Sequence, residues 1–386
     1  MRTSRLTLTA TLLAVGLSAL PAAQASAATG ASGPSIPFGT PLFQKSQLGL
    51  SADTGVIVGD VDSRVVLWKD GQTKVLTGVG GQANGINASG SFTGSTFVGT
   101  GDYAQSRAIV WDGEGTPTDI TPAGASRAIG RAIADDGTVL LTYNVGAGPS
   151  QYGVLRGGAL TPLPLGEKGR AVAMNNSGET IAVTYPGWVA TATKCTAAGV
   201  CAALPTPSGT LRSEVTAIND SGDAVGWAEV QTSPSTRDIL ALLWSDNGAT
   251  VLPALAGETG ATATRISDAG LVGGRSGGTA VVWRDGAAVE LAPGTPHATY
   301  ELGISGINSA GEVVGTVVDT RDGTRKSNGF LWKDGRLTIL DGAFPLPFSG
   351  VSGITEGGLI LGVSFASKFN PLYPEIYLAT TWRAKR

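Results

Sequence analysis

The side chains that could do chemistry in this chain are chiefly carboxylates, because imidazole is almost absent. His297 is the only histidine, which argues against imidazole-based catalytic triads and His-rich metal sites. No Gly-x-Ser-x-Gly motif stands at a strand-to-helix turn, and no phosphate-binding loop is present. A glycosidase needs only two positioned carboxylates, so that chemistry remains open. We predict no cofactor, no metal ion and no assignable catalytic residue.

Six of the acids, however, stand at matching places in a repeated pattern. A catalytic residue is needed once, whereas a turn residue is needed in every unit, because short polar side chains fold back onto the turn backbone. We therefore expect these acids to be structural. They are Asp70, Asp112, Asp220, Asp268, Asp285 and Asp334.

The two cysteines of the chain, Cys195 and Cys201, lie close together. In an oxidising compartment such a pair forms a disulfide more often than a redox motif or a metal site. The pair stands where one repeat unit lacks its Asp-Gly turn, so we predict that the disulfide closes that hairpin. A bridge over so short a loop would contribute about 2–3 kcal/mol to stability.

The elements that hold these residues come from a repeat that runs along nearly the whole chain. Each unit begins with a polar turn that ends in Gly, in the form Asn-x-x-Gly in four of the eight units, as in residues 306–315, and the apolar residues on either side predict two paired strands. A later apolar run ends in Trp and an Asp-Gly turn, as in residues 330–335, which predicts a second hairpin. The turn glycines, spaced 35 to 48 residues apart, are Gly55, Gly90, Gly137, Gly178, Gly222, Gly270, Gly311 and Gly358.

This spacing is close to the roughly 40–45 residues of a four-stranded propeller blade. We predict an all-β fold, a β-propeller of about eight four-stranded blades, with seven as the alternative if the short first unit is not a full blade. The chain ends soon after Trp382, which leaves the last blade without its outer strand. Because an open edge invites pairing, we expect an N-terminal strand from residues 37–47 to complete that blade and close the ring.

The tryptophans divide into two groups. Six of the eight occupy the repeated position at the end of the third strand, where a large ring would fill the interface between blades. These six are Trp68, Trp111, Trp244, Trp283, Trp332 and Trp382. Trp188 and Trp227 fall outside this register, which makes them the better candidates for an exposed binding surface.

The segment between strands 2 and 3 varies in length, in contrast to the constant turns. From the strand-2 glycine to the strand-3 Trp it measures 9 residues in the first unit, 18 in the fifth and 17 in the seventh. Insertions in repeat proteins map to loops on one face, which is often the binding face; tolerated insertions without a ligand are the alternative. The candidate binding residues are Asp102, Tyr103, Tyr143, Asn144, Glu229, Arg237, Asp319, Arg321, Asp322, Asn370 and Tyr373.

Residues 1–27 have the composition of a secretory signal peptide, with Arg2 and Arg5 before an apolar stretch and a small-residue cleavage zone. The apolar stretch is too short to span a membrane, and no other segment reaches spanning length. We expect residues 28–386 to form a single secreted domain that acts as a monomer. The formal charge of −3 argues against a nucleic-acid partner.

Residues 217–226, Ala-Ile-Asn-Asp-Ser-Gly-Asp-Ala-Val-Gly, with Leu-Leu-Trp at 242–244, resemble the HAF-repeat family of extracellular bacterial proteins. A similar unit spans residues 306–335, and the likeness extends over most of the mature chain. That family has a His-Ala-Phe triplet before Leu-Trp, where this chain has Asn-Gly-Phe at 328–330. The resemblance implies secretion and a propeller, and it implies no particular reaction.

These features predict a secreted, non-catalytic propeller that binds an extracellular glycan or protein through its strand 2–3 loops. The alternative is a secreted carbohydrate-active hydrolase or lyase that uses carboxylates from the same loops.

Overall fold

The computed structural model describes residues 46–61, 64–78, 80–98, 105–292, 300–343, 346–366 and 377–384. Its strands form eight antiparallel sheets, each made of strands that follow one another along the chain. The all-β propeller predicted from the repeat is confirmed, with eight blades rather than seven. Within these residues, no helix has the length and apolar character needed to cross a membrane.

The first four blades each contain four described strands. Blade one contains β1 (Ser46–Ser51), β2 (Ile57–Val61), β3 (Arg64–Lys69) and β4 (Gln72–Val75). Blade two contains β5 (Gln82–Ile86), β6 (Phe92–Val98), β7 (Gln105–Trp111) and β8 (Pro117–Asp119). Blade three contains β9 (Ala125–Ile133), β10 (Val139–Val145), β11 (Gln151–Arg156) and β12 (Ala159–Leu163). Blade four contains β13 (Arg170–Met174), β14 (Thr180–Thr184), β15 (Thr191–Cys195) and β16 (Cys201–Ala203).

The last four blades follow the same order. Blade five contains β17 (Thr210–Ile218), β18 (Ala224–Ser233), β19 (Thr236–Ser245) and β20 (Gly248–Leu252). Blade six contains β21 (Ala261–Ile266), β22 (Val272–Ser276), β23 (Thr279–Arg284) and β24 (Ala287–Glu290). Blade seven contains β25 (Tyr300–Ile307), β26 (Val313–Asp319), β27 (Lys326–Lys333) and β28 (Arg336–Leu340). The described part of blade eight contains β29 (Phe348–Ile354), β30 (Leu359–Phe365) and β31 (Tyr377–Arg383).

The N-terminal strand expected to complete blade eight is only partly covered by the structure. Of residues 37–47, residues 37–45 lie outside the described residues. Ser46 and Gln47 belong to β1 and pair with β2. The C-terminal end of the expected strand was therefore misplaced, because those two residues already form the first strand of blade one.

The first turn of each blade shows why Asn and Gly recur. In blade five, the Gly222 N–H donates to the Asn219 carbonyl, and the Asn219 side chain accepts the Asp223 N–H at 2.9 Å. The Asn219 amide also donates to the Ser267 carbonyl of blade six at 3.2 Å. Gly222 has a φ of 84°, a conformation that glycine adopts without strain. The pattern therefore specifies both the turn and a link to the next blade.

Acids next to these turn positions also link neighbouring blades. Asp220 accepts the Asn176 N–H of the preceding blade at 2.9 Å, and Asp268 accepts the Asp220 N–H at 2.9 Å. Asp135 accepts the Ala88 N–H at 2.8 Å. A carboxylate is a strong acceptor for backbone N–H groups, so these acids connect the blades side to side.

The other repeated acids stay within their own turns. Asp70, Asp285 and Asp334 have φ values of 50°, 52° and 51°, as the first residue of an Asp-Gly hairpin turn requires. Asp112 accepts the Thr116 N–H at 2.7 Å, and this hydrogen bond is the main cause that lowers the pKa of Asp112.

The repeated tryptophans fill the interfaces between blades. Trp244 is 2% exposed and packs with Ile181 and Ala192 of blade four, while its indole N–H donates to the Pro205 carbonyl at 2.6 Å. Trp68 is half-buried and packs at the interface with blade eight. The buried members of the set are Trp111, Trp244, Trp283, Trp332 and Trp382.

Blades eight and one meet directly, which closes the ring. Ile57 and Val66 of blade one pack against Leu361 and Ala379 of blade eight. Apolar burial at this junction is of the same kind as between the other blades.

Asp53 extends the turn-to-turn links across this junction, because its carboxylate accepts the Thr355 hydroxyl at 2.5 Å and the Gly357 N–H at 2.7 Å. We expect Asp53→Asn to lower the free energy of unfolding by about 1 kcal/mol, since an amide cannot accept both bonds. Urea denaturation measures the change. Asp246→Asn, in an exposed turn, is the matched control, and equal stability of the two variants would contradict the role of Asp53.

Cys195 and Cys201 form the predicted disulfide and face each other across the β15–β16 ladder. The bridge stands where other blades have an Asp-Gly turn. Replacing both cysteines by alanine is expected to lower the free energy of unfolding by about 2–3 kcal/mol, because the unfolded chain gains freedom. Denaturation with and without a reducing agent checks this. Reduction should weaken the wild type and leave the variant unchanged; a variant as stable as the oxidised wild type would refute it.

Candidate functional site

The two ends of the blades carry different connections. Strands 1 and 2, and strands 3 and 4, are joined at the end that we call the turn face, as at residues 219–223 and 246–247. The strand 2–3 connections and the blade-to-blade connections emerge at the opposite end, the loop face, as at residues 185–190 and 164–169. The predicted binding residues were assigned to the loop face.

In blade five, the long strand 2–3 segment is a β-hairpin and not a loop. β18 and β19 continue until Ser233 pairs with Thr236. The inserted residues thereby satisfy their backbone hydrogen bonds with one another, which a loop of the same length could not do. Glu229 and Arg237 lie on these strands, so their predicted loop position was wrong.

Glu229 and Arg237 form an ion-pair cluster with the inner strand of blade five. The Glu229 carboxylate accepts hydrogen bonds from Arg212 Nε at 2.5 Å and from Arg237 Nη1 at 3.2 Å. The Arg212 guanidinium also lies 5.1 Å from the centroid of the Trp227 ring. The hydrogen bond from Arg212 is the main cause that lowers the pKa of Glu229. A carboxylate held in its charged form is a poor general acid.

In blade seven, the loop between β26 and β27 neutralises its own acids. Arg321 donates to both carboxylate oxygens of Asp319, at 2.9 and 2.7 Å, and this pairing lowers the pKa of Asp319. Asp322 accepts from Lys326 and from the Thr324 hydroxyl. The three predicted residues of this loop, Asp319, Arg321 and Asp322, are therefore brought together in ion pairs formed within the loop.

The carboxylate of Asp322 has a pKa below its ordinary value of 3.8, chiefly because Lys326 donates to it. Its contribution to stability is therefore complete above that ordinary pKa and is lost as the pH falls through the lower pKa of the folded state. We expect Lys326→Met to raise the pKa of Asp322 toward 3.8. An NMR titration of the carboxyl carbon measures this, with Arg325→Met as the control. An unchanged midpoint in the Lys326 variant would disprove the assignment.

In blade three, the placement of Tyr143 differs from the prediction. Tyr143 lies within β10, and its side chain is 5% exposed and packs with Leu141 in the core, because the strand continues further than its apolar run suggests. Burial raises the pKa of the Tyr143 phenol. The Asn144 amide donates to the Gly148 carbonyl at 3.0 Å, so it supports the following turn.

The remaining predicted positions lie outside the described residues. They are Asp102, Tyr103, Asn370 and Tyr373, and the lone histidine, His297, lies outside them as well.

A cavity of about 560 Å³ opens on the loop face at blade four. One wall is the connection from blade three, residues 164–169, and the other is the strand 2–3 connection of blade four. The volume lies in the range of roughly 300–1,000 Å³ that small-ligand sites occupy. The aromatic and polar side chains along the cavity include Glu167, Lys168, Tyr185, Trp188, Thr191 and Thr193.

Trp188 is held in an exposed position by a strained turn. The ring is 77% exposed, and the residue has a φ of 69°, which is rare for a large side chain. Its N–H donates to the Tyr185 carbonyl at 3.2 Å, and the Val189 N–H donates to the Pro186 carbonyl at 3.2 Å. Backbone strain of this kind clusters at functional sites, so Trp188 is the strongest candidate for a ligand contact.

Lys168 faces Trp188 from the opposite wall, with its ammonium 3.4 Å from the centroid of the ring. The turn that carries it is closed by the Gly169 N–H, which donates to the Gly166 carbonyl at 3.2 Å. A Cβ on Gly169 would lie 2.0 Å from the Leu165 carbonyl oxygen, so this close turn requires glycine. The backbone therefore places the ammonium against the ring.

Sequence reasoning identified Trp188 through its position outside the repeat register and missed Lys168. Nothing in the length of residues 164–169 distinguishes this connection from the other blade-to-blade connections. The length of the strand 2–3 segment of blade four was not compared with the others, because Cys195 stands where six of the eight blades have the Trp that marks the end of strand 3.

No protein-family model and no curated protein matches the chain. The chain is similar to the β-propeller domain of the Trilobed protease from Pyrococcus furiosus, at 10% identity and a TM-score of 0.49, over 79% of this chain and 97% of that one. It is similar to Pyrococcus horikoshii acylaminoacyl peptidase at 13% identity and a TM-score of 0.47, over 74% of this chain and 49% of that one. It is also similar to virginiamycin B lyase from Staphylococcus aureus, at 13% identity and a TM-score of 0.43, over 79% of this chain and 94% of that one. These likenesses concern the propeller fold alone.

Proposed function

We propose that the protein is an exported, non-catalytic binding module that recognises an extracellular glycan through its loop face, in the cavity beside Trp188. The observation that carries this proposal is the 77% exposed ring of Trp188 at the rim of a cavity of about 560 Å³. A flat aromatic face offers apolar contact to the C–H face of a sugar ring. Polar side chains along the same cavity, among them Tyr185 and Glu167, can hydrogen-bond to sugar hydroxyls.

Export and membership of the HAF-repeat family belong to the same proposal. Residues 1–27 support export, since they have the three regions of a signal peptide. The disulfide supports it as well, because such bridges persist mainly in oxidising compartments. N-terminal sequencing of the protein recovered from culture medium should find a start near residue 26 or 28.

Binding is better supported than hydrolysis, although the hydrolase or lyase remains the alternative. Among the described residues that line the cavity, Glu167 is the one carboxylate, whereas a glycosidase uses a pair. Glu229, Asp319 and Asp322 are ion-paired, and their pKa values are lowered. A general acid requires the opposite shift.

A polysaccharide screen tests the proposal. The purified protein is incubated with polysaccharides from culture medium and from cell walls, and retention and released products are measured separately. We expect retention without products, and loss of retention in Trp188→Ala. Turnover that Glu167→Gln abolishes would support the enzyme instead. A protein captured equally well by Trp188→Ala, with no glycan retained, would reject the proposal in favour of a protein partner.

A further inference from the structure

In the cavity beside Trp188, the side-chain ammonium of Lys168 covers the face of the indole ring on which a sugar would stack. The Lys168 ammonium lies 3.4 Å from the centroid of the indole ring, which leaves no room for a sugar between them. Within the part of the chain that the structure describes, no carboxylate forms an ion pair with Lys168, although Glu167 is its neighbour in the cavity. The ring is therefore the partner of this ammonium in the free protein.

We propose that the cavity selects glycans that carry carboxylates, such as chains of uronic acids, and that Lys168 pairs with the carboxylate. This inference rests on the glycan-binding function proposed above. A sugar that stacks on the covered face of Trp188 must displace the ammonium, which stays tethered at the wall of the cavity. A carboxylate then offers it a charge-assisted hydrogen bond. A neutral sugar offers only hydroxyls in return for the lost cation–π contact.

The distribution of charge around the cavity supports an anionic ligand. Within residues 125–252, the loop-face half of the blades carries the bases Arg127, Lys168, Arg170, Arg212 and Arg237 and the acids Glu167, Glu214, Glu229 and Asp238. The turns at the opposite end carry the acids Asp135, Asp136, Glu179, Asp220, Asp223 and Asp246. The bases at that end are Arg131, Arg156 and Lys194, of which Arg156 pairs with Asp136 and Lys194 with Glu179. In a chain of net charge −3, the loop face of these blades is thus the side that an anion approaches more easily.

Matched polymers with and without carboxylates test this selectivity. Polygalacturonate, alginate and hyaluronate are compared with their carboxyl-reduced forms, which keep the backbone and lose the charge. Calorimetry measures the affinity of the wild type, Lys168→Met, Lys168→Arg, Glu167→Gln and Trp188→Ala. Thermal unfolding of each variant checks that it remains folded, as expected for changes in exposed side chains.

We expect the wild type to bind at least one acidic polymer about tenfold more tightly than its reduced form, as one charge-assisted hydrogen bond allows. Lys168→Met should remove this preference, Lys168→Arg should keep it, and Glu167→Gln should keep or increase it. Added salt should weaken the binding of the acidic polymer more than the binding of its reduced form, because salt screens the ion pair.

Equal affinity for acidic and reduced polymers in the wild type, or a preference that survives in Lys168→Met, would overturn the selectivity. The glycan-binding function would still stand in either case if Trp188→Ala abolished binding. Failure of the wild type to bind any of these polymers, acidic or reduced, would overturn the selectivity and count against the glycan function as well.

Discussion

Replacing Trp244 by alanine is expected to lower the free energy of unfolding by about 3–5 kcal/mol. The side chain is 2% exposed and belongs to the core cluster between blades four and five that also contains Ile181 and Ala192. Truncation leaves a cavity at this interface and removes the hydrogen bond from the indole N–H to the Pro205 carbonyl. The Pro205 carbonyl then loses its hydrogen-bond donor in a partly buried position, which adds to the cost.

Urea denaturation followed by circular dichroism measures this effect. Trp188→Ala is the matched control, because it removes the same side chain from a site that is 77% exposed, and we expect it to change stability by less than about 0.5 kcal/mol. Similar losses in the two variants would mean that the repeated tryptophans do not hold the blades together.

Trp188→Ala is also expected to weaken glycan binding by roughly thirtyfold or more, as the loss of an aromatic contact residue worth about 2 kcal/mol would do. The ring supplies the flat apolar face at the rim of the cavity, and the turn that carries it has a φ of 69°. Because that turn presents the ring before any ligand arrives, little ordering of the side chain remains to oppose binding.

Calorimetry on a retained polysaccharide measures this loss. Trp188→Phe should recover part of the affinity, since a smaller aromatic face remains. Val200→Ala is the control, because Val200 is 68% exposed at the turn-face end of the same blade. Affinity that stays unchanged in Trp188→Ala would place the ligand elsewhere on the protein.

The propeller could be predicted because its signals are local. Asn219 and Gly222 specify their turn through hydrogen bonds that span four residues, so the same pattern has the same meaning in every blade. Cys195 and Cys201 are six residues apart, and this short separation made their pairing predictable. Trp244 occupies a position where six of the repeat units have Trp, and this recurrence predicted that it is a core residue.

The predictions that were wrong concern segments whose form depends on distant partners. A long gap between strands 2 and 3 is equally compatible with a loop and with an extended hairpin, and in blade five the backbone pairing between β18 and β19 decided the matter. Tyr143 was assigned to a loop, but its ring is buried among residues of blades two and three. In both cases the pattern of residues gives the length of the segment and not the partner that orders it.

By itself, the sequence determined the blade, its turns, its core tryptophans and the disulfide, because each depends on residues within one repeat unit. Only the tertiary structure decided where a ligand could bind. Lys168 and Trp188 belong to the connections that precede and follow the β13–β14 hairpin, and the pairing of Arg170 with Val183 brings both connections to the loop face of blade four. The turns within the two connections then place the ammonium against the indole ring, and no spacing along the chain encodes that contact.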